Sequence, residues 1–136
     1  MNKTFKLLGA AVFAAGGIVS QANAGCDPTT IRFQTAQLHP VSIRFQVLSR
    51  VNAALPLTPV PADRRCRALF KPASGVPFPG ANAEGYSYLG SGRTSASGIC
   101  TIAPNIWVPA IAYTVKAEFD EGPNFCGSHR TFTPAF

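Results

Sequence analysis

Val41-Ser42-Ile43-Arg44-Phe45-Gln46-Val47 alternates apolar and polar side chains at every step. A period of two places Val41, Ile43, Phe45 and Val47 on one face and Ser42, Arg44 and Gln46 on the other, the mark of a strand with one buried face. The run is expected to continue to Val51. Tyr113-Thr114-Val115-Lys116-Ala117-Glu118-Phe119 has the same pattern, with Tyr113, Val115, Ala117 and Phe119 inward. Arg64 to Lys71 turns Cys66, Ala68 and Phe70 to one side and Arg65, Arg67 and Leu69 to the other. Thr30 to Gln37 points Ile31, Phe33 and Thr35 inward and stops at His39-Pro40. A last strand is expected from Ser128 to Phe136.

Between these strands the chain is full of helix breakers. It has 12 Pro and 12 Gly, which leave few uninterrupted windows at helical spacing. Asn52 to Asp63, with prolines at 56, 59 and 61, reads as a connection across the end of the domain or along its edge. Pro72 to Arg93 reads as a long loop holding a short edge strand around Tyr86, Tyr88 and Leu89, and Thr94 to Ile102 as another strand. Six or seven short strands predict an all-β domain, a β-sandwich of about seven strands and immunoglobulin-like size. A small closed barrel is the alternative, and the absence of an internal repeat excludes a propeller or solenoid.

The amino terminus is set apart from this pattern. Lys3 and Lys6, an apolar run from Leu7 to Val19 and then Ala22-Asn23-Ala24 form a secretory signal, with cleavage expected after Ala24. Thirteen apolar positions fall short of the roughly 20 a membrane-spanning helix needs. A lipidated amino terminus at Cys26 is the competing reading, although Asn23 stands where that signal takes an aliphatic residue. The expected organisation is a signal peptide over 1–24 and one domain over 25–136. Removing 24 of the 136 residues leaves 112, about one ordinary domain. The formal charge drops from +6 to +4 when Lys3 and Lys6 leave, too little to suggest nucleic acid as a partner. Cys26, Cys66, Cys100 and Cys126 would enter an oxidising compartment, periplasmic or extracellular, where four cysteines mean two disulfides with three possible pairings.

From about Thr94 to the carboxyl terminus the chain resembles the bacterial immunoglobulin-like repeats of surface adhesins and secreted proteins. The likeness lies in Ala96-Ser97-Gly98 before a strand with Cys100 and Ile102 inward, the strand Tyr113 to Phe119, the acidic turn Asp120 to Asn124, then Phe125 and Ser128. The four cysteines and the single copy depart from that family. The resemblance implies an immunoglobulin-like sandwich in which all four cysteines gather at one end. It thereby favours Cys66 with Cys100 and Cys26 with Cys126.

No catalytic constellation emerges. His39 and His129 are the only histidines, and neither has a companion nucleophile in the sequence pattern. Glu118, Asp120 and Glu121 surround one turn and read as a solvated acidic turn, with weak calcium binding as the alternative. Leu89-Gly90-Ser91-Gly92-Arg93 opens no helix and so is no phosphate loop. Tyr86, Tyr88 and Arg93, read as lying on a flexible loop, are candidate partner-binding residues, because Tyr and Arg are enriched in binding hot spots. Arg65 and Arg67, the core of a basic cluster with Arg64 and Lys71, are two more; a charged edge strand that resists aggregation is the plainer reading. Trp107, between Pro104 and Pro109, is expected to plug the core, with an exposed stacking role as the alternative.

The sequence therefore predicts a small exported module without catalysis, cofactor or metal. Its role would be structural, or adhesion to an unidentified protein or polysaccharide of the envelope or surface. The alternative is an inhibitor of a protease or lysozyme. In its support, Asp27-Pro28-Thr29-Thr30 resembles one binding loop of the chagasin-type cysteine protease inhibitors, while their other loops have no match.

Overall fold

The structure, a computed structural model, describes residues 25–120, 122 and 124–134. Residues 1–24, where a secretory signal is expected, and Glu121, Pro123, Ala135 and Phe136 lie outside the described residues. Among the described residues there is no helix, and eight strands form two antiparallel sheets: β1 (Thr29–Leu38), β2 (Val41–Ser49), β3 (Thr58–Pro59), β4 (Arg65–Pro72), β5 (Ser87–Arg93), β6 (Ile99–Ile102), β7 (Tyr113–Phe119) and β8 (Ser128–Phe132). In one sheet β2 pairs with β1 on one side and with β3 and β6 on the other; the second has the order β5-β4-β7-β8. Setting aside the two-residue β3, the first, second and fifth strands share one sheet and the third, sixth and seventh the other. That is the division of the immunoglobulin sandwich, with the fourth, β5, joined to the third. Among the described residues no helix is long and apolar enough to cross a membrane.

The alternating runs bury the faces the sequence assigns. Val41, Ile43, Phe45 and Val47 of β2 meet Cys66, Ala68 and Phe70 of β4 and Tyr113, Val115, Ala117 and Phe119 of β7 in one core. Each large apolar side chain removed from water there contributes on the order of 2 kcal/mol. Tyr113 adds a polar anchor, because its hydroxyl donates to the Pro109 carbonyl oxygen four residues upstream at 2.6 Å. A tyrosine so placed at the start of the sixth strand is the corner that ties the inter-sheet crossing in this fold.

Several expected boundaries move. A β-bulge between Phe33 and Thr35 shifts the pleat of β1 by one residue. Ala36 and Leu38 therefore turn inward and Thr35 becomes exposed. Only Ile99–Ile102 of the expected Thr94 to Ile102 strand pairs. Ahead of it, the Thr94 hydroxyl accepts from the Arg64 amide and donates to the Pro61 carbonyl, and the Ser95 hydroxyl accepts from the amides of Ser97 and Ile99. Those side-chain bonds compete with the ladder and make a turn. Gly98 completes it at φ +74°, where a Cβ would stand 2.7 Å from the Val47 carbonyl oxygen. The last strand stops at Phe132. The proline-rich connection does follow the sheet edge, and Val60 within it is fully buried, its amide donating to Val47.

Both disulfides lie toward one end. Cys66–Cys100 crosses from β4 to β6 and so joins the sheets. Cys26–Cys126 ties the start of the described chain to the β7–β8 connection, where Asp27 forms a parallel bridge with Phe125. The pairing is the one the resemblance implied, and two disulfides suit a non-reducing, extracytoplasmic environment.

Candidate binding face

The register of the second sheet gathers the candidate residues. Arg65 faces Arg93, Arg67 faces Ser91 and Leu69 faces Tyr88 across β4 and β5. Arg67 faces Glu118 and Leu69 faces Lys116 across β4 and β7. Opposed residues of an antiparallel pair share a face, so Arg65, Arg67, Tyr88 and Arg93 all stand on the outer surface of β5-β4-β7. Tyr86, just before β5, joins them from beneath: it is buried, and its ring lies 4.5 Å from the Lys71 ammonium and 5.6 Å from that of Lys116.

The segment that carries the tyrosines is not the flexible loop the sequence suggested. Residues 87–93 are strand, and the turn before them is fixed by Asn82, whose side-chain oxygen accepts from the amides of Glu84 and Tyr86. The glycines serve close packing: a Cβ on Gly92 would stand 2.8 Å from the Thr101 carbonyl oxygen, so β5 passes tightly over β6. A bulge beside Leu69 lets Leu89 and Gly90 both turn inward while Tyr88 stays outside, 61% exposed.

Charge on this face is largely paired. Arg67 donates from Nε to Glu118 at 2.6 Å and from Nη1 to Asp120 at 2.7 Å, and the bond to Glu118 raises its pKa. Lys116 donates to Glu84 at 3.0 Å and lies 3.6 Å from Glu118. That bond raises the pKa of Lys116 and lowers that of Glu84. Glu118 and Asp120, read from sequence as part of a solvated turn, are thus cross-strand partners of Arg67. The edge-strand reading of the basic cluster also falls, because β4 is a central strand. Arg65, with its side chain 69% exposed, lies 3.6 Å from Asp120, and exposed Arg93 donates to the Asp63 carbonyl.

At the end remote from the disulfides, Trp107 is 74% exposed, so it does not plug the core; Val108, at 4%, takes that position. Consecutive residues of an extended connection point opposite ways, and the backbone here turns the smaller side chain in. Trp107 lies 6.3 Å from His39, ring to ring, and borders a groove of about 290 Å³ that Tyr88 also lines. Among the described residues no three of His, Cys, Asp or Glu converge as a metal site. Asp27-Pro28-Thr29-Thr30 is not presented as a loop, since Asp27 is bridged to Phe125, Thr29 and Thr30 open β1, and the Thr29 hydroxyl bonds Cys126 and Ser128. Compared with protein-family models, curated proteins and solved structures, the chain matches none.

Proposed function

We propose that this protein is an exported module of the periplasm or extracellular space, kin to the bacterial immunoglobulin-like repeats, that acts without catalysis by binding an envelope or surface component. The observation that carries the reading is Tyr88, held 61% exposed near the start of the edge strand β5, on the same outer sheet face as Arg67, Arg65 and Arg93. A rigid strand presents these side chains with little ordering entropy left to lose on association, the condition under which Tyr and Arg become anchors. Kinship is supported by Tyr113–Phe119 standing as the sixth principal strand, where the resemblance would put it.

The test is to immobilise the oxidised domain and expose it to envelope and culture fractions of the source cells. A protein or polysaccharide should be retained by the parent and lost from a Tyr88→Ala/Arg93→Ala double variant. It should stay on an Arg32→Ala/Arg44→Ala control, whose changes lie on the exposed surface of the other sheet. Retention indifferent to the Tyr88 face, or chemical turnover of the retained component, would contradict the proposal.

A further inference from the structure

The groove beside β5 has a composition unlike the charged face next to it. Phe70 and Val108, both buried, and the half-buried Phe78 form its floor, and Tyr88 and Trp107 rise from its rim. None of its lining residues is charged. Its polar side-chain groups are the Tyr88 hydroxyl and the Trp107 indole N–H at the rim and the Ser87 hydroxyl, which is shielded from solvent.

We infer that this groove is a binding site for a neutral oligosaccharide. Three features select that chemistry. The rim offers two exposed aromatic rings, whose electron-rich faces attract the C–H bonds on one side of a pyranose. The uncharged lining gives a charged sugar or an anionic headgroup no counter-ion. The rim side chains also carry a phenol hydroxyl, on Tyr88, and an indole N–H, on Trp107, which can bond sugar hydroxyls and find no partner on a hydrocarbon chain. The size agrees as well: about 290 Å³ holds on the order of one or two pyranose rings, at the small end of ligand sites, and is short for the extended run of residues that a proline-rich peptide lays along a groove. The inference rests on the binding-module reading but not on the same surface, since of the proposed face it uses only Tyr88.

Trp107 is the only tryptophan in the chain, so its emission reports on this site alone. The oxidised protein is titrated with neutral hexose and N-acetylhexosamine oligosaccharides, and in parallel with a polyuronate, a proline-rich peptide and phosphatidylcholine vesicles. A saturable change of Trp107 emission is expected with at least one neutral oligosaccharide and with none of the other three. Tyr88→Ala should weaken that binding at least about tenfold and Tyr88→Phe about threefold to tenfold, the loss of one hydrogen bond. Arg32→Ala should leave it unchanged. No response to neutral sugars at millimolar concentration, a response to the polyuronate, peptide or vesicles, or neutral-sugar binding indifferent to Tyr88 would each overturn the inference. Repeating the retention test with Arg93→Ala alone, which leaves the groove intact, separates the failure of this inference from that of the binding-face reading.

Discussion

At one end of the sandwich Cys26–Cys126 and Cys66–Cys100 bridge sequence separations of 100 and 34 residues. At the other, the His39-Pro40 turn, the 73–86 loop and the 103–112 connection meet without a covalent link. Phe70, Phe78 and Tyr113 hold them with ring centroids 5.3 to 6.2 Å apart. Among the described residues the stapled end has no such ring cluster; there Phe125 is covered by the Arg64 guanidinium at 5.5 Å. The contrast shows two ways to close a thin sandwich, by disulfides at one end and by rings in tilted contact at the other. Only the uncross-linked end spends an exposed tryptophan, and that end carries the groove.

The comparison breaks most sharply if the staples are removed. Replacing Cys66 and Cys100 together by Ala should lower stability by about 3–5 kcal/mol, and replacing Cys26 and Cys126 by a similar amount, measured by denaturant unfolding. The first pair also loses buried packing between the sheets. A loss under about 1 kcal/mol for both pairs would mean that the stapled end is held by something else.

Phe70→Ala should cost about 3 kcal/mol, since it empties the centre of the ring cluster. Tyr113→Phe keeps the ring and removes the bond to Pro109, so about 1 kcal/mol is expected. Burial raises the Tyr113 pKa, so the folded state favours the neutral phenol. Its contribution is complete below the tyrosine's unfolded pKa and is lost as pH rises through the higher folded value. Alkaline unfolding of the parent should therefore be steeper than that of Tyr113→Phe.

Trp107→Ala should move stability by no more than about 0.5 kcal/mol, because the side chain is mostly in water. Glu84→Gln should have the smallest effect. Its carboxylate pKa is lowered by Lys116, so the contact is present at neutral pH and lost on acidification through that lowered value. The group is fully exposed, however, and the denaturation midpoint should scarcely shift.

The strands with unbroken alternation, β2, β4 and β7, were readable in the sequence because period two maps directly onto the pleat. β1 was half readable: nothing local in Phe33-Gln34-Thr35 announces the bulge that changes the inward set. Likewise the bonding of Thr94 and Ser95 pre-empts a strand that their β-propensity suggests. Val60 gave one signal, a lone apolar side chain between Pro59 and Pro61. On the binding face, Tyr88, Arg65, Arg67 and Arg93 were nameable from residue type, and their common surface follows from the register. The pairing of Arg67 with Glu118, 51 residues away, was not legible, because it depends on β4 and β7 being neighbours. Nor was the outward turn of Trp107, since the prolines around it fix no phase.

The most direct test of an exported, doubly stapled immunoglobulin-like sandwich is disulfide mapping, by non-reducing peptide mass spectrometry, of the protein recovered from its own cells. The account predicts Cys26 linked to Cys126 and Cys66 linked to Cys100, with no free thiol. Reduced cysteines, or Cys26 joined to Cys66 or Cys100, would contradict it.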